Sequence, residues 1–113
     1  MIETIVLDYL NTNLFPVEAY TEIPINAPKE YVTIEVIDMG ESNRIPYATI
    51  EVMSYAQSMY DASSLNNQVI EAMREIDQVD DIVSCKRGGG SNETDTERKT
   101  YCYRSVFNIV YYE

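Results

Sequence analysis

The chain has no histidine and no tryptophan, only two cysteines, and eight basic residues against nineteen acidic ones. Without imidazole it lacks the side chain most often used as a general base near neutral pH and the commonest metal ligand, so an enzyme would have to work with carboxylates or a thiolate. Cys85 and Cys102 are too few for a disulfide framework and suit a reducing compartment. Neither has a histidine to activate it, and both are expected to be half-buried strand residues. The formal net charge of −11 would repel a phosphate backbone, which argues against tight nucleic-acid binding but would let DNA slide past an acidic wall without sticking. No stretch approaches about 18 consecutive apolar residues, and the start, Met1 to Ile5, has no basic leader. The expectation is a soluble chain, made in cytoplasm, with no membrane partner.

What is present points to one ordinary core. At 113 residues, 45% hydrophobic and 24% charged, the chain reads as a single folded domain over 1–113. Ile2, Ile5, Val6, Tyr9 and Leu10 recur at helical spacing, predicting a helix over about 2–12 that Pro16 cannot prolong. Residues 17–23 form an extended segment closed by Pro24 and Pro28, which suits an edge or a loop. Tyr31–Ile37 and Tyr47–Tyr55 alternate as strands, with Val32, Ile34 and Val36, and Ala48, Ile50, Val52 and Ser54, on their apolar faces. The polar stretch 39–44 between them reads as the turn of an antiparallel hairpin.

Ser58 followed by Asp61 resembles a capping box, and Ala62, Leu65, Val69, Met73 and Ile76 predict a helix over about 59–78 with Asn66, Asn67, Glu71, Arg74 and Glu75 on its wet side. A short strand, 81–85, a long glycine- and charge-rich loop, 86–99, and a long final strand, 100–112, complete the chain. A symmetric loop would set Cys85 opposite Cys102. The predicted fold is α+β: a mostly antiparallel sheet of four to five strands with two helices on one face, in the order α-β-β-β-α-β-β, ending in a long C-terminal hairpin.

Sites for chemistry do not emerge. Glu93, Asp95 and Glu97 alternate, yet the twelve-residue calcium-loop frame with its glycine and closing glutamate is missing. Asp77, Asp80 and Asp81 read as a polar helix exit. Gly88 to Gly90 lack the lysine, hydroxyl and following helix of a phosphate loop, and are expected to be flexible until a partner orders them. No cofactor is implied. Ten tyrosines fit either an interface or cross-strand packing, and for Tyr101, Tyr103 and Tyr111 the period-two spacing admits both. A strand of some twelve residues spans about 40 Å, more than a small globule about 35 Å across, which predicts that part of the last hairpin bends or projects to meet another subunit. The residues expected to make that contact are Lys86, Arg87, Arg98, Lys99, Tyr101, Tyr103 and Arg104.

The opening helix, Tyr20 to Pro24, Pro28 to Glu35, Ile50 to Ser58 entering a helix, and the closing Thr94 to Thr96 with Tyr101 to Tyr112 together resemble small tail terminator, or head-to-tail joining, proteins of siphophages and prophages. The likeness runs through nearly the whole chain and lies in the order and spacing of these segments, while Gly88 to Gly90 and Cys102 are local departures. It implies a non-enzymatic virion protein, made in the host bacterial cytoplasm and placed at the tail end or neck. It implies a hexameric ring that docks on the major tail tube protein, stops its polymerisation, and offers a face to the head connector, with DNA only as passing cargo. Six copies of so acidic a chain repel one another, so salt is expected to aid assembly. A head-completion, neck or minor capsid protein is the nearest alternative. A small-ligand or hydrolytic domain would instead need convergent acids in a cleft.

Overall fold

Helix α1 (Ile2–Asn13), strands β1 (Glu18–Tyr20), β2 (Tyr31–Ser42) and β3 (Ile45–Ala56), helix α2 (Met59–Arg74), and strands β4 (Ile82–Asn92) and β5 (Tyr101–Tyr111) follow one another in the computed structural model, which describes residues 1–112. The strands form one sheet in the order β1-β2-β3-β5-β4. All neighbours are antiparallel except the parallel pair β1 and β2. Both helices lie on one face, so the α+β architecture and element order expected from the sequence hold.

Periodicity explains the layers. Ile2, Val6 and Leu10 of α1 and Ala62, Leu65, Val69 and Met73 of α2 are buried against Val32, Ile34, Ala48, Ile50, Val52, Phe107 and Ile109 of the sheet. Each large apolar side chain so covered contributes about 1.5–3 kcal/mol of transfer free energy. The Ser58 hydroxyl accepts a hydrogen bond from the Asp61 amide at 3.1 Å and fixes where α2 begins. One polar pair enters the core: Ser105 Oγ donates to Asn66 Oδ1 at 2.8 Å. Asn66 is therefore buried rather than on the wet side of α2, because the serine on β5 supplies the partner that burial demands.

Three other expectations change. Strand β2 does not stop at Ile37: a bulge between Val36 and Asp38 absorbs that residue and pairing continues to Ser42, leaving only Asn43 and Arg44 as the turn. Helix α2 ends at Arg74, and a 3₁₀ turn over Ile76–Gln78 carries the buried Ile76 to the same core. Strand β4 runs through the supposed loop to Asn92, because bulges between Ile82 and Ser84 and between Arg87 and Gly89 take up residues that would otherwise lengthen the turn. Gly89 adopts φ +130°, and a Cβ on Gly90 would lie 2.3 Å from the Arg104 carbonyl oxygen, so these glycines are part of the strand's geometry and not a free loop. The shift in register sets Cys85 opposite Ile109, on the helix side, and Cys102 opposite Tyr55, on the other side. The two thiols are not neighbours.

The strands run along the longest of the 46 × 24 × 24 Å dimensions. That elongation is why an eleven-residue β5 stays within the body, paired to β3 and β4 along its length rather than projecting as an arm. The two hairpin turns, at 43–44 and around 93–100, lie at opposite ends of the sheet.

Candidate interaction surface

The residues expected to form a contact surface are divided among three places. Lys86 and Arg104 belong to the sheet face without helices; Arg87, Tyr101 and Tyr103 belong to the helix side; Arg98 and Lys99 occupy the turn. Arg104 Nε donates to Glu51 Oε2 at 2.5 Å, tying β5 to β3 across the open face. Arg98 Nε stands 3.8 Å from Asp95 Oδ2 with both groups well solvated, a pair of negligible energy. The turn holds its own shape. Asp95 and Thr100 exchange backbone hydrogen bonds of 2.9 and 3.0 Å, and Asp95 Oδ1 accepts from the amides of Glu97 and Arg98. Arg87 shares a small surface depression with Ile70, Met73, Arg74, Cys85 and Phe107. Tyr111 is buried in the core, while Tyr101 and Tyr103 are half-buried at its edge.

None of the described elements covers the second sheet face. At one end it carries an aromatic row: Tyr31 stacks on Tyr55 with ring centroids 4.7 Å apart, and Tyr20 meets Tyr31 edge-on at 6.2 Å. Tyr55 lies opposite Cys102, which is buried. Burial, reinforced by the neighbouring thiol, pushes the Tyr55 hydroxyl up to about 12, and burial holds Cys102 at about 11. Burial and then the Asp77 carboxylate push Cys85 up to about 11 as well. Both thiols therefore stay protonated at neutral pH and are poor nucleophiles. The row was missed in sequence because its members come from three strands whose mutual register only the fold supplies.

Farther along the same face a polar row crosses the sheet. Lys86 pairs with Asn108, Asn108 with Thr49, and Thr49 with Asp38, so a cation on the β4 edge and an anion on β2 end one line of side chains. Thr49 Oγ1 donates to Asn108 Oδ1 at 2.8 Å in its middle. The chain is divided in the same sense: Met1 to Asp81 hold fifteen acidic and three basic residues, and the remainder holds four acidic and five basic. That asymmetry was available in the sequence; the placing of Lys86 and Asp38 at opposite ends of one row was not.

A groove of about 610 Å³ lies between the helices, lined by Tyr9, Asn13, Asn67, Gln68, Glu71 and Arg74 among others. Several of its polar groups are engaged within the chain. Tyr9 donates to the Ala72 carbonyl at 2.5 Å, Asn13 to the Tyr9 carbonyl at 2.8 Å, and Arg74 to Glu71 at 2.7 Å. Burial foremost, with Glu75 and Asp77 nearby, raises the Tyr9 hydroxyl. Among the described residues no three acidic or thiol side chains converge in a way that could hold a metal ion. No protein-family model matches the chain, and no curated protein matches it.

Proposed function

We propose that this chain is a virion assembly subunit of the tail-terminator kind: a ring-forming protein that caps the tail tube, stops its polymerisation and joins it to the head connector. The observation that carries this reading is the placing of the two hairpin turns at opposite ends of a 46 Å body whose sheet edges face sideways. Such a subunit has two axial contact ends and two lateral ones, which is what a joint between two coaxial structures requires. Self-association through the sides makes the ring; one end meets the tube protein and the other the connector, while DNA passes through without being held. Its acidity supports that last point, since a negatively charged wall does not release counterions from DNA.

The ligand-binding alternative draws little support, because the inter-helix groove is open, Tyr9, Asn13, Glu71 and Arg74 in it are engaged within the chain, and no three acidic side chains converge among the described residues. The test is tube assembly followed by electron microscopy. Added to polymerising tail tube protein, the chain should shorten the tubes and remain at one end of each. Tubes that grow to unchanged length, with the chain co-purifying instead with portal-side proteins, would replace this reading by the neck-protein one.

A further inference from the structure

The lateral edges of the sheet differ in charge and in how much of each is covered. Strand β4 is the outer strand on one side, with Lys86 and Arg87 along it and no acidic residue between Ile82 and Asn92. On the other side β1 covers only Tyr31 to Thr33 of β2, and β1 is itself blunted: Asn11 Oδ1 accepts from the Ala19 amide at 2.8 Å and Asn11 Nδ2 donates to the Ala19 carbonyl at 3.3 Å, as a neighbouring strand would. From Ile34 to Ser42 the outer side of β2 has no strand beside it among the described residues, and that stretch carries Glu35, Asp38 and Glu41. An uncovered strand edge is a template for pairing with another chain.

We propose that copies of this chain join head to tail through these edges, β4 of one copy lying antiparallel to the uncovered part of β2 in the next, with Lys86 of the first set against Asp38 of the second. The contact rests on the ring-forming reading above and names the surfaces that close the ring. Three features of the structure converge on it. Strand β2 and strand β4 run in opposite directions within one copy, so a rotation that keeps every copy upright places them side by side as an antiparallel pair. Lys86 and Asp38 end the same row on the same face, so copies standing level bring the two charges together. Both side chains are exposed, and neither has an ion pair among the described residues.

Charge also selects against the symmetric alternatives. Two β4 edges would oppose lysine and arginine to themselves, and two β2 edges would oppose carboxylates, whereas the mixed pairing neutralises both. A mixed edge is heterologous and therefore propagates, closing into a ring when the rotation per copy divides the circle. Exposed Ile37 and Met39 on β2 and Val83 on β4 add apolar surface beside the ion pair. The bulges on both strands limit the pairing to a short length, which keeps it reversible.

Sedimentation velocity over a wide concentration range tests the contact, using the full chain, Lys86→Glu, Asp38→Lys, and an equal mixture of the two variants. Urea midpoints matching the parent establish that both variants fold. Each variant alone should associate at least about tenfold more weakly than the parent, as loss of roughly 1.4 kcal/mol implies. The mixture should recover the parent's assembly, because alternating copies restore an opposite-charge pair at every joint. Variants that assemble as the parent does, or a mixture that fails to recover, would overturn the edge contact while leaving the ring reading intact. A parent chain that stays monomeric throughout also overturns the edge contact; the ring reading falls with it only if that chain fails to cap tubes.

Discussion

The two hairpins have strands of nearly equal length and hold their shape by opposite means. The β2–β3 hairpin has the tighter turn, only Asn43 and Arg44, with φ of 52° and 66° in the left-handed region that suits the twist of a two-residue connection. Its outer part, however, has no third strand beside it among the described residues: β1 stops opposite Thr33, and the β5 pairing ends opposite Tyr47. The β4–β5 hairpin has a long turn, yet β5 lies between β3 and β4 from Tyr103 to Val110. Lateral pairing and helix cover, not turn length, decide which hairpin anchors the fold. The largest contrast should follow from Phe107→Ala on β5 and Ile45→Ala on β3. Phe107 is 2% exposed within the core, and its truncation should cost about 3–5 kcal/mol; Ile45, about half exposed, should cost under about 0.5 kcal/mol. Urea midpoints at unchanged slope measure both. Equal losses would mean that the outer hairpin is packed against something.

The glycines sharpen the same contrast at a smaller scale. Gly90→Ala drives a methyl into the Arg104 carbonyl, a backbone atom that moves only if the β4–β5 ladder opens, and should cost about 1–3 kcal/mol. A Cβ on Gly40 would meet the Tyr47 hydroxyl at a similar 2.4 Å, but that ring is half-exposed and can swing aside. Gly40→Ala should therefore cost less than about 1 kcal/mol. Thermal melts of the two variants side by side would reverse this ranking if the outer hairpin were the more rigid one.

How far the sequence disclosed the molecule follows from the same physics. Periodicity marked both helices and the apolar faces of β2, β3 and β5, because a core imposes a single spacing on whatever covers it. It failed where pairing outlasts burial. Residues 38–42 and 86–92 are mostly exposed and rich in glycine and charge, so nothing in their composition announces the neighbour that makes them strands. Bulges at Ile37, Val83 and Gly88 also break the alternation that would have revealed them. The interface residues were inferred from one hairpin treated as an arm; once β5 became a central strand, Lys86 and Arg104 remained on the open face and Tyr101, Tyr103 and Arg87 turned to the helix side. Asp38 and Tyr55 were overlooked because their significance depends on strands far apart in the chain.

Turn chemistry offers the next test. Arg44 holds a left-handed conformation that costs a side-chain-bearing residue about 1 kcal/mol or more, and glycine adopts it freely. Arg44→Gly should therefore stabilise the chain by about 0.5–1 kcal/mol, less the entropy glycine adds to the unfolded state. The gain should appear as a raised urea midpoint. No change, or a loss, would show that the outer hairpin opens independently of the rest and that its turn does not report on global stability.

The smallest effect is expected from the Arg104–Glu51 pair, and it bears on assembly as well as on stability. Its side chains are 32% and 20% exposed on the face that none of the described elements covers, so solvent screens it, and a double-mutant cycle with Arg104→Ala and Glu51→Ala should give a coupling of about 0.5–1 kcal/mol that declines as salt is added. Edge-to-edge contacts leave this face wet, and the coupling should then be the same in dilute and in concentrated protein. If the coupling instead grows severalfold with concentration and loses its salt dependence, the open face is being covered by another copy. Stacked sheets would then replace joined edges as the route to the ring, since only desolvation can strengthen this pair without altering its geometry.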